Sequence, residues 1–211
     1  MASHTRITAQ FKPDQYNLDL SLDTSSKEFF GDLQITGQRR SRPSYRITLH
    51  QADLNISSAQ IFRLEKGQKT EVPIIRIIHH KKRQEVRLHS SEQIYSSNYL
   101  VKLKYSGKVA SHGISGIYLS YTDISELDSP KSSTQQEIIT TQFQPHYART
   151  LLPCIDEPEA KAVFNFNLNL RSNQGEDTEA LKSSEVLFNT SPNSDIFNIS
   201  TEHRELRFQP T

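Results

Sequence analysis

The chain has 211 residues, with Lys+Arg 25 against Asp+Glu 24, a net charge of +1, 34% hydrophobic residues and one cysteine. That length can bury a real core, as one large all-β domain or two small ones, and 8 Tyr with 10 Phe separate it from chains too poor in bulky residues to order themselves. Charge balance removes the electrostatic case for nucleic acid or an anionic membrane as main partner. Cys154 alone closes no intrachain disulfide, so a cytoplasmic address is expected.

Along the chain, the opening MASHTRITAQ lacks the apolar run of a secretory signal, and no later stretch is apolar for long enough to span a bilayer. Residues 1–10 are read as an extension or tag remnant without function. From residue 11 apolar and polar positions alternate with the period of half-buried strands. Tyr16, Leu18, Leu20 and Leu22 share one face, followed by Leu33 with Ile35, by Tyr45, Ile47 and Leu49, by Leu54 with Ile56, and by Val86 with Leu88. The pattern is clearest at Tyr99, Val101, Leu103 and Tyr105; it returns at Ile117, Leu119 and Tyr121, from Ala162 through Leu170, at Phe197 with Ile199, and at Leu206 with Phe208. Residues 122–136 and 172–182 are polar and read as surface loops.

Asp156, Pro158 and Glu159 have the spacing of a capping box and predict one or two turns of helix, with a further turn at Tyr147–Thr150. The expected fold is all-β: an antiparallel sandwich or saddle-like open barrel of roughly a dozen strands with one or two short helical turns, forming a single domain over residues 11–211.

Motifs that would carry chemistry are scarce. The sequence has no phosphate-binding glycine loop, no G-x-S-x-G elbow, no cysteine pair, and no two of its eight histidines in H-x-x-x-H spacing, so no metal site is expected in this chain. The run His79–Arg83 reads as a solvated hairpin tip, Cys154 as a buried packing residue, and Asp156 with Glu157 as helix-capping acids.

Residues 140–164, TTQFQPHYARTLLPCIDEPEAKAVF, resemble the N-terminal domain of aminopeptidase N-type zinc metallopeptidases, the gluzincin aminopeptidases. In that family T-Q-x-E/Q, A-R, P-C-x-D-E-P and K-A-x-F follow in this order. Pro13 with Tyr16–Leu22, Phe30-Gly31, Ile47–His50, Tyr105–Gly107 and Gly116–Ser120 also match in register, so the resemblance covers most of residues 11–170.

The resemblance implies a β-saddle that precedes a catalytic domain carrying H-E-x-x-H, a further zinc-binding Glu and G-x-M-E-N. This chain has none of these, and Met1 is its only methionine. It is therefore expected to be a piece of a longer protein, inactive alone, whose partners are a downstream catalytic domain of the same polypeptide and the N-terminus of a peptide substrate. By the same resemblance Gln144 is the residue that reaches the substrate's α-ammonium, and Gln142 lines or buttresses that site. Arg149, Asp156 and Glu157 are scaffold that fixes the loop. Most members carry Glu where this chain has Gln144; Gln occurs in the branch that includes the leukotriene epoxide hydrolase. Hydrogen bonds with ionised partners contribute about 1.5–3 kcal/mol against about 0.5–1.5 for neutral ones, so Gln is expected to hold the amine more weakly than Glu. A stand-alone sandwich binding a protein or glycan is the alternative, because a fold does not fix a function.

Overall fold

A computed structural model describes residues 6–124, 134–171, 192–198, 203–208 and 210. Its strands are β1 (Phe11–Asp23), β2 (Glu28–Arg39), β3 (Ser44–His50), β4 (Asn55–Glu65), β5 (Gln68–Val72), β6 (Ile74–His80), β7 (Glu85–Ile94), β8 (Ser97–Lys108), β9 (Gly116–Ile124), β10 (Thr134–Gln142), β11 (Val163–Arg171), β12 (Pro192–Asn198) and β13 (His203–Phe208). The helical content of the described residues is three 3-10 turns, at Ile7–Ala9, Lys81–Arg83 and Ala148–Thr150. No helix among them is long and apolar enough to cross a membrane.

The fold is an all-β sandwich. Its large sheet has the order β12-β13-β11-β1-β2-β8-β4-β5; a smaller sheet has the order β3-β7-β6, and β9 and β10 form a hairpin. Alternation builds the core in rows across the large sheet. Tyr16 lies opposite Ile35, Ile35 opposite Val101, and Val101 opposite Ile61, and all four are buried. From the smaller sheet Ile47, Leu49, Val86 and Leu88 join the same apolar cluster.

Two rows exchange an aromatic ring for a glycine. On β2 and β8, Gly31 faces Tyr105 while Phe29 faces Gly107. A Cβ on Gly31 would lie 2.2 Å from Tyr105 Cζ, and one on Gly107 would lie 2.3 Å from Phe29 Cζ. Each ring thus lies across the bare backbone of its partner strand, a close approach that only glycine permits.

The structure departs from the sequence reading in several places. The β1–β11 ladder is parallel, with Gln15 opposite Val163 and Asp23 opposite Arg171. The segment after β10 carries the chain back to the end of the sheet where β1 begins, so both strands run the same way. Tyr45, expected inside with Ile47, is exposed because the β3–β7 register shifts between Ser44 and Arg46. Strands β9 and β10 extend to Ile124 and start at Thr134, shortening the loop expected over residues 122–136, of which 125–133 lie outside the described residues, as does the loop at 172–182.

The expected helix at Asp156 is absent; the chain makes one turn closed by Ala160 N–H on the Glu157 carbonyl at 2.9 Å. The capping groups are engaged elsewhere. Glu157 accepts the backbone N–H of Ile7 at 2.8 Å and of Thr8 at 3.1 Å, and so serves the first turn of the chain rather than its own. Residues 6–10, read from sequence as extension, are built into the domain by this carboxylate, by the buried Ile7 and by an Arg6–Glu159 ion pair.

Replacing Gly31 by Ala should destabilise the domain by about 1–3 kcal/mol, since the buried Tyr105 ring has nowhere to retreat. Urea unfolding of the two chains followed by circular dichroism measures it, and an unchanged midpoint would show that the ring moves freely.

Candidate functional site

The segment from Phe143 to Ala160 joins β10 to β11, and its backbone is tied to the sheets at several points. Gln142 ends β10 opposite Gly116. Beyond it Tyr147 N–H donates to the Phe143 carbonyl at 2.8 Å, and Thr150 caps the Tyr147 carbonyl through both its N–H and its hydroxyl. Gly116, at φ +77, leaves room for Thr150, whose Oγ1 would lie 2.2 Å from a Cβ there.

The free edge of β3 then takes up the chain. His50 N–H donates to the Cys154 carbonyl at 2.7 Å, and Cys154 N–H returns to the His50 carbonyl at 3.0 Å. Thr48 and His50 are buried along with Ile47 and Leu49, so the strand end is covered on both faces. Tyr16, on β1, accepts Ile155 N–H at its hydroxyl at 3.0 Å.

Arg149, Asp156 and Glu157, singled out in the sequence, come together here around His50. Arg149 Nε donates to Asp156 Oδ2 at 2.9 Å and its Nη2 to the Asp156 carbonyl at 3.3 Å; both side chains are almost wholly enclosed. Arg149 Nη1 reaches Gln84 Oε1 at 3.2 Å, and the Arg149 carbonyl accepts Ala52 N–H at 2.8 Å. One guanidinium therefore links the loop to the β6–β7 turn and, through its own backbone, to the end of β3.

His50 Nδ1 accepts Asp156 N–H at 3.1 Å, which requires that nitrogen to be unprotonated. Its Nε2 stands 4.0 Å from Glu157 Oε1, too far for a hydrogen bond. Burial, then the charge of Arg149, push the His50 pKa below its ordinary 6.5 despite the pull of Glu157, Asp156 and Glu85. Burial pushes the Cys154 thiol up, and Asp156 pushes it further, so Cys154 is a packing residue and no thiolate nucleophile.

Gln142 and Gln144 stand apart from this enclosed group. Both are exposed; the peptide bond from Gln144 to Pro145 is cis; and the Gln144 amide has no hydrogen bond to any described residue. Sequence reasoning missed Tyr16 and Gln84 as supports of this loop. Gln84, at φ 52 beyond a 3-10 turn, carries no pattern that separates it from any polar turn residue.

The described residues thus form a β-sandwich with one loop pinned to its sheets. The Peptidase M1 N-terminal domain family matches residues 12–193, and the chain belongs to that family. It is 30% identical to an aminopeptidase N of Lactococcus lactis subsp. lactis over 185 residues, covering 83% of this chain and 18% of the relative. With the endoplasmic reticulum aminopeptidase 1 of Mus musculus it shares 26% identity over 167 residues, which is 79% of this chain and 17% of that one. A probable aminopeptidase 1 of Sulfurisphaera tokodaii is 39% identical over 84 residues, 39% of this chain and 9% of the relative. The chain thus spans under a fifth of the length of these relatives.

Replacing Arg149 by Leu leaves the enclosed Asp156 carboxylate without its partner and should cost about 3–5 kcal/mol, read from urea unfolding. A second expectation concerns pH. The unfolded chain protonates His50 at the ordinary imidazole value and the folded chain only at lower pH, so the stability held above about pH 6.5 is lost as pH falls through the interval between the two. Replacing His50 by Asn keeps an acceptor for Asp156 N–H and removes the titration. The decline in stability from about pH 7 to pH 5 should therefore be shallower in that variant, and equal slopes would contradict the assignment.

Proposed function

We propose that this chain is the substrate-amine-binding N-terminal domain of a zinc-dependent aminopeptidase, with the Gln144 amide oxygen accepting a hydrogen bond from the peptide's leading ammonium and Gln142 beside it. One observation carries the reading: Gln144 offers an exposed amide that no described residue engages, on a loop held by the β9–β10 ladder on one side and by the His50–Cys154 and Arg149–Asp156 pairs on the other. An exopeptidase has to register the first residue of its substrate. A carbonyl fixed at a set distance from the reacting centre does this only if its loop does not drift, because small misplacements are costly in rate.

Among the described residues no three His, Cys, Asp or Glu side chains gather in a way that would hold a metal ion, so these residues do not fit a zinc site. The zinc, its ligands and the catalysis are assigned to a downstream domain of the same polypeptide, in keeping with the length of the aminopeptidase relatives. Tyr121 and Ile138, exposed on the hairpin that leads to Gln142, support a surface covered by such a domain. The cytoplasmic assignment rests on the unpaired Cys154.

In the longer protein, Gln144→Ala should lower kcat/KM for aminoacyl p-nitroanilides roughly tenfold, mainly through KM, and Gln144→Glu should lower KM. The 211-residue chain alone should turn over none of these substrates, with or without added zinc. Unchanged kinetics in both variants would remove Gln144 from the site.

A further inference from the structure

The turn from β2 to β3 holds a cation that the peptide-binding reading does not use. Arg39, the last residue of β2, is 2% exposed. Its Nη2 donates to the Arg42 carbonyl at 2.8 Å and its Nη1 to the Arg46 carbonyl at 3.3 Å, while Nε has no partner. Two of the five N–H donors are thereby engaged, both by neutral carbonyls, and among the described residues no carboxylate pairs with Arg39. Buried guanidinium groups are ordinarily matched by an acid.

The residues lining the space beside it add basic groups and include no carboxylate. Arg46 on β3 and Arg76 on β6 both lie opposite His89 on β7, which sets three basic side chains in one row of the small sheet. Arg39, Arg42, Tyr45, Arg46 and His89 line a cleft of about 560 Å³ that opens beside the turn. Burial above all pushes the Arg39 pKa down, against an upward pull from Tyr99 and with a smaller push from the like charge of Arg46.

We infer that this cleft binds a small oxyanion, of the phosphate or polycarboxylate class, between the Arg42 and Arg46 side chains and His89, with Arg39 as a fixed charge in its wall. The two carbonyl bonds hold Arg39 in place and so keep that charge at the cleft before any ligand arrives. The exposed Arg42 and half-exposed Arg46 are the groups free to close on an oxyanion, and guanidinium forks match such oxygens in pairs.

The test titrates inorganic phosphate and, separately, citrate into the 211-residue chain by calorimetry and thermal melting, with sodium chloride balancing ionic strength. Saturable binding and a raised melting temperature are expected with at least one of the two, and which one binds tells a phosphoryl from a carboxylate ligand. The double variant Arg42→Gln with Arg46→Gln should weaken it at least tenfold. Lys81→Gln with Lys82→Gln, which removes the same charge from the exposed β6–β7 turn, should leave it unchanged. Neither anion acting beyond chloride, or equal loss in the two double variants, would overturn the site.

Discussion

The fold depends on a two-bond exchange between His50 and Cys154, in which a connecting segment takes the place of a missing strand on the open edge of β3. The edge of the three-stranded sheet would otherwise leave the backbone groups of His50 and the acceptor nitrogen of its ring without these partners. Once Cys154 occupies it, the flanking residues fall into place. Ile155 N–H meets the Tyr16 hydroxyl, Asp156 N–H meets His50, and Asp156 is presented to Arg149. The backbone pair sets the geometry, and the enclosed ion pair, costly to desolvate, follows from it.

This arrangement separates the roles of the polar residues on one short segment. Arg149, Asp156 and Glu157 spend their hydrogen bonds inward: Arg149 on Asp156 and the Gln84 side chain, and Glu157 on the backbone of a turn at the other end of the chain. Gln142 and Gln144, a few residues before them, spend none on described residues. Rigidity behind and freedom in front is the division that a recognition surface needs. The buried Arg39 repeats the theme at the opposite end of β3, where two carbonyls hold a charge in place.

Much of the fold was legible in the residues. Period-two alternation located the core face of β1, β2 and β8 because those strands are buried on one side only, as in the buried series Tyr16, Leu18, Leu20, Leu22. It misplaced Tyr45 because a register shift is set by pairing with β7 and leaves no mark on the alternation. The helix expected at Asp156 failed for a related reason. A capping box is a local preference, and here His50, Arg149 and the first turn of the chain competed for its groups and won. The loop itself was legible through family resemblance, since its polar residues have no period of their own. Gln84 and the Tyr16 hydroxyl became visible as supports only when the strands were in place.

The parallel ladder between β1 and β11 joins residues almost 150 positions apart, and β1 is the strand on which β2 also rests. During synthesis on the ribosome one edge of the first strand therefore waits, uncovered, until nearly the whole domain has been made. Its backbone amides on that side are unpaired during that interval. Until β11 arrives, that edge is a template on which another chain could pair, even though β2 has already closed the other side of the strand.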